Sequence, residues 1–361
     1  MNETRPVLIM AGGTGGHVFP ALAVAECLRE RGVPVTWMGT QQGLEAVLVP
    51  KAGIPIEWIG ISGLRGKGVR RLLTMPFILG RALWQAAAVL RRLRPRAVLG
   101  MGGFASGPGG LAARVLGIPL VVHEQNAIPG LTNRWLARLA NQVLEAFPGT
   151  FPSARHAVSV GNPVRESIAA LPVPAERFAG RAGPSRLLVL GGSQGALALN
   201  RLVPQALALW DGAERPEVWH QAGGQLYETA VAAYQEAGVT ARLTPFIEDM
   251  AAAYDWADLV LCRAGALTVA ELAAAGVGAI LVPFPFAVDD HQTANARFLE
   301  RSGAARVVQQ ADLNAERLAA LLRESLSDRQ HLQTMGEAAR RLAKTEAAEQ
   351  VARTCLDQAR S

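Results

Sequence analysis

Acidic residues are missing from one long stretch of this chain: between Glu57 and Glu124 there is no Asp or Glu. Cysteine is scarce too, with three residues, Cys27, Cys262 and Cys355, at no patterned spacing. An odd, scattered set argues against a disulfide framework and a zinc site, and fits a reducing cytoplasm. The opening MNETRP runs into a strand-like segment and lacks the layout of a signal peptide. No run suits a membrane span, because the best region, 72–90, is broken by Pro76, Arg81 and Gln85. Metal-ligand spacing is lacking as well. Asp289-Asp290-His291-Gln292 resembles such a motif, but adjacent acids before a helix more often cap it and complement its dipole. The chemistry is therefore expected to need neither a metal nor a cofactor.

What is present is ample apolar material and an excess of positive charge. Half of the 361 residues are hydrophobic, and the length suggests two domains. The net charge of +6 invites an anionic partner. Within the acid-free stretch stand Arg65, Lys67, Arg70, Arg71, Arg81, Arg91, Arg92, Arg94, Arg96 and Arg114. Leu72, Leu73, Met75, Phe77, Ile78, Leu79, Leu83 and Trp84 are interleaved with them. Such a segment suits an anionic bilayer surface. The plainer alternative is a helix that buries Leu and Trp and solvates Arg. Nucleic acid is not expected, since no binding module is recognisable.

Strand-like and helical runs alternate throughout. Val7-Leu8-Ile9-Met10 reads as a buried strand and 18–28 as a helix; 34–38 is a strand and 44–51 a short helix. Strands follow at 97–100 and 119–123, with helices ending near 116 and spanning 131–140. A stretch rich in Pro, Ala and Gly, 161–184, marks the domain boundary. A second series has strands at 186–190, 217–220, 241–243, 258–262, 279–282 and 305–308. Its helices lie at 196–210, 265–275 and 290–302, and a helical tail begins at 313. This is an α/β class: a parallel sheet covered on both faces, used twice without a sequence repeat.

Three Gly-rich turns each follow a strand, at 12–16, 102–110 and 191–195. Glycine permits positive φ and close backbone approach, and a helix start beyond such a turn is an anion site. A dinucleotide oxidoreductase would want an acid ending its second strand. Trp37-Met38-Gly39-Thr40-Gln41-Gln42 has none, which counts against that class. After Cys262, Arg263 leads into a helix start at Ala266 whose N–H groups can hold a diphosphate. Glu271, more than a turn in, can accept ribose hydroxyls, and its plainer role is to complement the helix dipole. Gln292 can offer its amide to a sugar hydroxyl. His17, at the mouth of the first turn, is the candidate base, with Glu124 in reserve. An imidazole titrates near neutrality, as a base requires.

These segments, in order, resemble glycosyltransferase family 28, and within it the transferases that add GlcNAc to undecaprenyl-diphospho-MurNAc-pentapeptide. The resemblance rests on GGTGGH (12–17), ISGLRGKG (61–68), GMGGFASGPGG (100–110), HEQN (123–126), GNPVR (161–165), GGSQGA (191–196), 263–271 and DDHQ (289–292). It implies a GT-B fold: two Rossmann-like domains facing a deep cleft, at 1–162 and 163–341, with helix 342–361 returning to the first. It implies inverting transfer from UDP-GlcNAc to the MurNAc C4 hydroxyl of lipid I, giving lipid II.

By the same resemblance, Ser193 meets the diphosphate and the Ile247 backbone meets uracil. Ala266, Leu267, Thr268, Val269, Ala270 and Glu271 hold phosphate and ribose, and Gln292 touches GlcNAc. Thr14, Gly15, Gly16, Asn126 and Arg165 match donor-site positions. The N-terminal half takes the lipid acceptor beside a membrane patch of Leu72, Leu73, Phe77, Ile78, Leu79 and Trp84. The implied location is the cytoplasmic face of the bacterial inner membrane, peripherally, with cell-wall synthesis proteins as further partners. Phe104, Ala222 and Ala264 stand where the family commonly has a hydroxyl. Rivals are a UDP-GlcNAc 2-epimerase, a natural-product transferase and a non-catalytic receptor for lipid-linked precursors.

Overall fold

The computed structural model describes residues 5–61, 68–192 and 195–359; the side chains of 68–74 and of Val288 fall outside that description. The chain forms two compact units, Met1–Arg165 with Lys344–Ser361, and Glu166–Ala343.

The first unit is built on β1 (Val7–Met10), β2 (Val35–Gly39), β3 (Ile56–Trp58), β4 (Ala97–Gly100), β5 (Leu120–Glu124), β6 (Gln142–Glu145) and β7 (Val158–Ser159). All pair in parallel, in the order β3-β2-β1-β4-β5-β6-β7. Strand alternation sorts β1 onto two faces. Val7 and Ile9 pack beneath the Gly15–Glu30 helix with Val351 and Cys355 of the C-terminal Ala347–Gln358 helix. Leu8 and Met10 face Ala82, Ala86 and Leu90 of the Gly68–Leu93 helix and Ala112 of the Ser106–Val115 helix. A strand buried on both sides must be apolar throughout, which is why VLIM carries no polar residue. The first unit extends three residues past position 162, and Arg165 stacks over the Phe19 ring at 5.6 Å.

The second unit carries β8 (Arg186–Leu190), β9 (Glu217–Gln221), β10 (Arg242–Thr244), β11 (Leu259–Cys262), β12 (Gly278–Leu281) and β13 (Ala305–Val307). They run parallel in the order β10-β9-β8-β11-β12-β13. Leu187, Val189, Leu259 and Leu261 form a core with Leu199, Val203 and Leu207 of the Leu197–Ala208 helix. At the opposite end from the strand termini that concern function, buried Asp258 pairs with Arg181 and Arg329 and accepts from the Arg186 N–H. In each sheet the chain turns one way from the central strand and later returns on its other side. Such a reversal opens a crevice at the carboxyl ends of the two central strands. Those ends belong to β1 and β4 in one unit, β8 and β11 in the other.

Candidate active site

At the β1–β4 reversal the two Gly turns of the first unit meet through bare backbone. Gly103 has φ +86°, and a Cβ there would lie 2.6 Å from Gly12 O. Gly102 has φ +97°, and a Cβ there would lie 2.8 Å from Nδ1 and Cε1 of His17. The imidazole rests in the space a side chain would fill, so residue 102 must be glycine. Thr14 precedes the Gly15–Glu30 helix in extended conformation, without a side-chain cap, and its carbonyl accepts from the His17 and Val18 N–H groups. Gly15 and Gly16 open that helix.

Sequence reading missed Glu45. Its carboxylate is buried and accepts from Gly13 N (2.9 Å), Thr40 N (3.1 Å) and Thr40 Oγ1 (2.7 Å). A native anion thus occupies part of the cradle that the Gly turn makes. An acid set among small residues at 39–45 was the available signal.

His17 Nδ1 lies 3.0 Å from Gln125 Oε1. Gln125 Nε2 lies 3.2 Å from Nδ1 of His123, whose Nε2 is 2.9 Å from Gly161 O. His123 is fully buried, and desolvation lowers its pKa from the usual 6.5 to about 4. Glu124, the reserve base, is differently employed. Its carboxylate accepts from Asn126 N (2.9 Å), Asn126 Nδ2 (3.2 Å), Gly130 N (3.1 Å) and Asn133 Nδ2 (2.9 Å). Those donors engage both oxygens in shaping the 126–130 loop, so Glu124 organises structure and holds no lone pair ready for a substrate proton. Asn126 is positioned by it.

At the β8–β11 reversal the third Gly turn is tied inward. The N–H of Gly191 donates to Gln221 O, that of Gly192 to Gln221 Oε1 (3.1 Å), and that of Gly195 to Gly192 O. Gln221 Nε2 returns to Gly192 O at 2.9 Å. The described glycine amides of this turn are thus engaged within the unit. Ser193 lies outside the described residues, as do Gln194 and positions 62–67. Asn200 Nδ2 donates to Ala222 O, so at 222 the backbone supplies the polar group.

The Ala266–Ala275 helix starts differently. Gly265 gives it no side-chain cap, which leaves the Leu267 and Thr268 amides of the first turn facing outward from the helix start. Glu271 is buried, and its Oε2 accepts from Tyr254 OH at 3.1 Å. Val269 packs into the core while Ala270 stays partly exposed. At the other end, buried Arg177 donates to the carbonyls of Ala275 (2.7 Å) and Gly276 (2.5 Å). Burial lowers its pKa to about 10, which leaves it cationic at neutral pH. A cation at the C-terminus and an uncapped N-terminus reinforce one dipole.

Arg263 faces elsewhere. Its guanidinium donates to Val282 O (3.1 Å), Pro283 O (3.3 Å) and Gln310 Oε1 (2.6 Å) and lies 5.5 Å from the Phe284 ring centre. It ties the loop after β12 to the segment at Gln310. Gln292 Oε1 accepts from Ala264 N (3.2 Å) and Phe284 N (2.9 Å), so the polar group of its amide left to offer a ligand is the NH2 donor. The DDHQ segment is not an ordinary cap. Asp289 and Asp290 have φ of +53° and +51°, and Asp290 accepts from Thr293 Oγ1, not from a helix amide. Ile247 is buried just past β10.

On the first unit, the Gly68–Leu93 helix leaves Phe77 80% and Trp84 69% exposed, with Leu79 also exposed and Ile78 half-buried. The side chains of Leu72 and Leu73 lie outside the described residues. The helices Ser106–Val115 and Leu131–Leu136 pack alongside and add Val115, Leu131 and Trp135 to the exposed apolar set. No helix among the described residues is long and apolar enough to cross a membrane.

Residues 7–145 match the glycosyltransferase family 28 N-terminal domain, and residues 186–351 the family 28 C-terminal domain. A UDP-N-acetylglucosamine--N-acetylmuramyl-(pentapeptide) pyrophosphoryl-undecaprenol N-acetylglucosamine transferase from Alkalilimnicola ehrlichii is 60% identical, over 99% of this chain and all of its own. The protein of that name from Nitrosococcus oceani is 61% identical over 97% and 98%. The crystal structure of Acinetobacter baumannii MurG superposes with a TM-score of 0.84 at 45% identity, covering 98% of this chain and 99% of that one. The glycotransferase of kitacinnamycin, at 18% identity and a TM-score of 0.68 over 98% and 99%, shares the fold.

Proposed function

The chain belongs to glycosyltransferase family 28, among its pyrophosphoryl-undecaprenol N-acetylglucosamine transferases, and we propose on that basis a reaction and a role for each site residue. The enzyme is a hexosyltransferase that moves GlcNAc from UDP-GlcNAc to lipid I and makes lipid II for peptidoglycan. The MurNAc C4 hydroxyl attacks C1 of GlcNAc in line. The new C1–O bond forms as the bond to phosphate breaks, and the electron pair leaves with UDP. One displacement turns an α-linked donor into a β-linked product. His17 Nε2 takes the hydroxyl proton.

The observation that carries this reading is the uncapped start of the Ala266–Ala275 helix with the buried, Tyr254-oriented Glu271 one turn on. The Leu267 and Thr268 amides, with the field of a helix held at its far end by Arg177, meet the diphosphate. Glu271 accepts the ribose hydroxyls, and the NH2 of Gln292 meets GlcNAc. Ser193 adds a donor to the diphosphate, and the Ile247 backbone reads the uracil. Fixed amides aimed at a developing negative charge are worth about 10²–10³ in rate per donor. That is the support for a reaction without an essential metal.

The acceptor is taken by the first unit, which lies peripherally on the cytoplasmic face of the inner membrane. Support for this comes from the exposed Phe77 and Trp84 beside an acid-free, Arg-rich stretch.

The test is turnover with radiolabelled UDP-GlcNAc and a short-chain lipid I after EDTA treatment. Labelled product and UDP are expected in equal amounts. UDP release without acceptor, or activity restored only by magnesium or manganese, would overturn the reading.

A further inference from the structure

Gln125 and His123 have no part in the reaction as written, yet the hydrogen bonds behind His17 run in one direction only. Gly161 O can only accept, so the His123 Nε2 lying 2.9 Å away carries a hydrogen. Buried and neutral, His123 then has a lone pair on Nδ1. Gln125 Nε2, 3.2 Å from that atom, must donate to it, and the same amide nitrogen also lies 3.4 Å from the His123 carbonyl, a second acceptor. Both contacts fix the amide the same way round. The Gln125 carbonyl oxygen is thereby turned to His17 Nδ1, 3.0 Å away, where it can only accept. Gln125 is itself buried, and Asn162 Nδ2 holds its backbone carbonyl at 3.0 Å. With the ring seated on Gly102, neither the orientation nor the tautomer of His17 is left open.

We propose that Gln125 and His123, anchored on the Gly161 carbonyl, are positioning residues that hold His17 as the Nδ1–H tautomer, so that Nε2 presents its lone pair to the acceptor hydroxyl. This rests on the reading of His17 as the base. The proton leaves the MurNAc oxygen for Nε2, Nδ1 keeps its hydrogen on Gln125, and the resulting cation later releases the Nε2 proton to solvent. An imidazole without this relay favours the opposite tautomer, which sets an N–H against the hydroxyl it must deprotonate. The relay joins β5, which carries His123, to the first Gly turn across a sequence separation of more than a hundred residues, so no local motif displays it.

The experiment is long-range 15N–1H NMR of histidine-labelled enzyme, paired with steady-state kinetics, for wild type, Gln125→Met and Gln125→Glu. Wild type is expected to show His17 protonated on Nδ1. Gln125→Met, close in shape but with no acceptor, shifts His17 to Nε2–H and lowers kcat by about 10- to 100-fold with KM for UDP-GlcNAc unchanged. Gln125→Glu keeps the acceptor for His17 Nδ1, and with it the tautomer, while giving up the donor to His123. If Gln125→Met leaves His17 as Nδ1–H, the relay is overturned. If that variant does not fold, Gln125→Glu decides alone, and an Nε2–H signal for His17 there overturns it. A switched tautomer with undiminished kcat upholds the relay and removes His17 from the role of base, so the two readings fail separately.

Discussion

His17 is placed by three different physical constraints. The helix start orders its backbone, Gly102 leaves room for its ring, and Gln125 binds Nδ1. A general base contributes about 10²–10⁴ to rate, so His17→Ala is expected to lower kcat by that range with KM for UDP-GlcNAc within a factor of about two. Steady-state kinetics against both substrates checks this, and a collapse of donor affinity would assign His17 to binding instead. The acids divide by what they touch. Glu45 and Glu124 accept from amides of their own unit, and Glu271 accepts from the Tyr254 hydroxyl on a helix that begins without a side-chain cap. Burial pushes the Cys262 thiol well above its ordinary range, which makes it an inert packing group in β11.

Helices in this protein take their roles from their ends and faces. The Ala266–Ala275 helix is apolar almost all round, as a buried helix must be, and the diphosphate role proposed for it rests on its first turn. The Gly68–Leu93 helix is amphipathic in an unusual sense: Ala82, Ala86 and Leu90 enter the core while Phe77 and Trp84 are exposed. The proposed membrane docking rests on these large aromatic rings left in water within an acid-free, Arg-rich stretch. The double variant Phe77→Ser, Trp84→Ser is expected to weaken binding to phosphatidylglycerol vesicles by about tenfold or more, each ring contributing on the order of 1–2 kcal/mol. Vesicle sedimentation measures this, and salt should weaken the wild-type binding further. Turnover of a soluble short-chain acceptor should be unaffected.

Across the complete chain, each unit encloses a histidine that burial keeps neutral: His123 at a pKa of about 4, and His220, hydrogen-bonded to Tyr234 OH, at about 3. Unfolding exposes both to water, where they titrate near 6.5. Below that pH the unfolded chain binds more protons than the folded one, so stability falls as pH drops from 6.5 toward 4 and is steady above 7. At pH 5 the loss comes to about 2 kcal/mol for each unit. Urea unfolding at pH 7 and pH 5 tests this. His220→Gln should flatten the pH dependence of the second unit and leave that of the first.

Most strands of both sheets, the three Gly turns and the helix after Cys262 could be read in the chain itself, because a two-sided parallel strand must be apolar and a tight turn must be small. Short elements at β3, β6 and β7 escaped, since two to four residues of mixed polarity carry no period. Candidates such as His17, Glu271 and Gln292 were legible as residue types next to strand ends, whereas the basic segment allowed either an exposed or a buried aromatic face until the fold left Phe77 and Trp84 outside. Folding alone assigned their partners. Glu124 holds the 126–130 loop, Arg263 holds the loop after β12, and Glu45 and Gln125 stand against the first Gly turn and His17. The reason is physical: sequence fixes what a side chain can donate or accept, but its partner lies on another strand, and only the packing of the sheet brings the two within 3 Å.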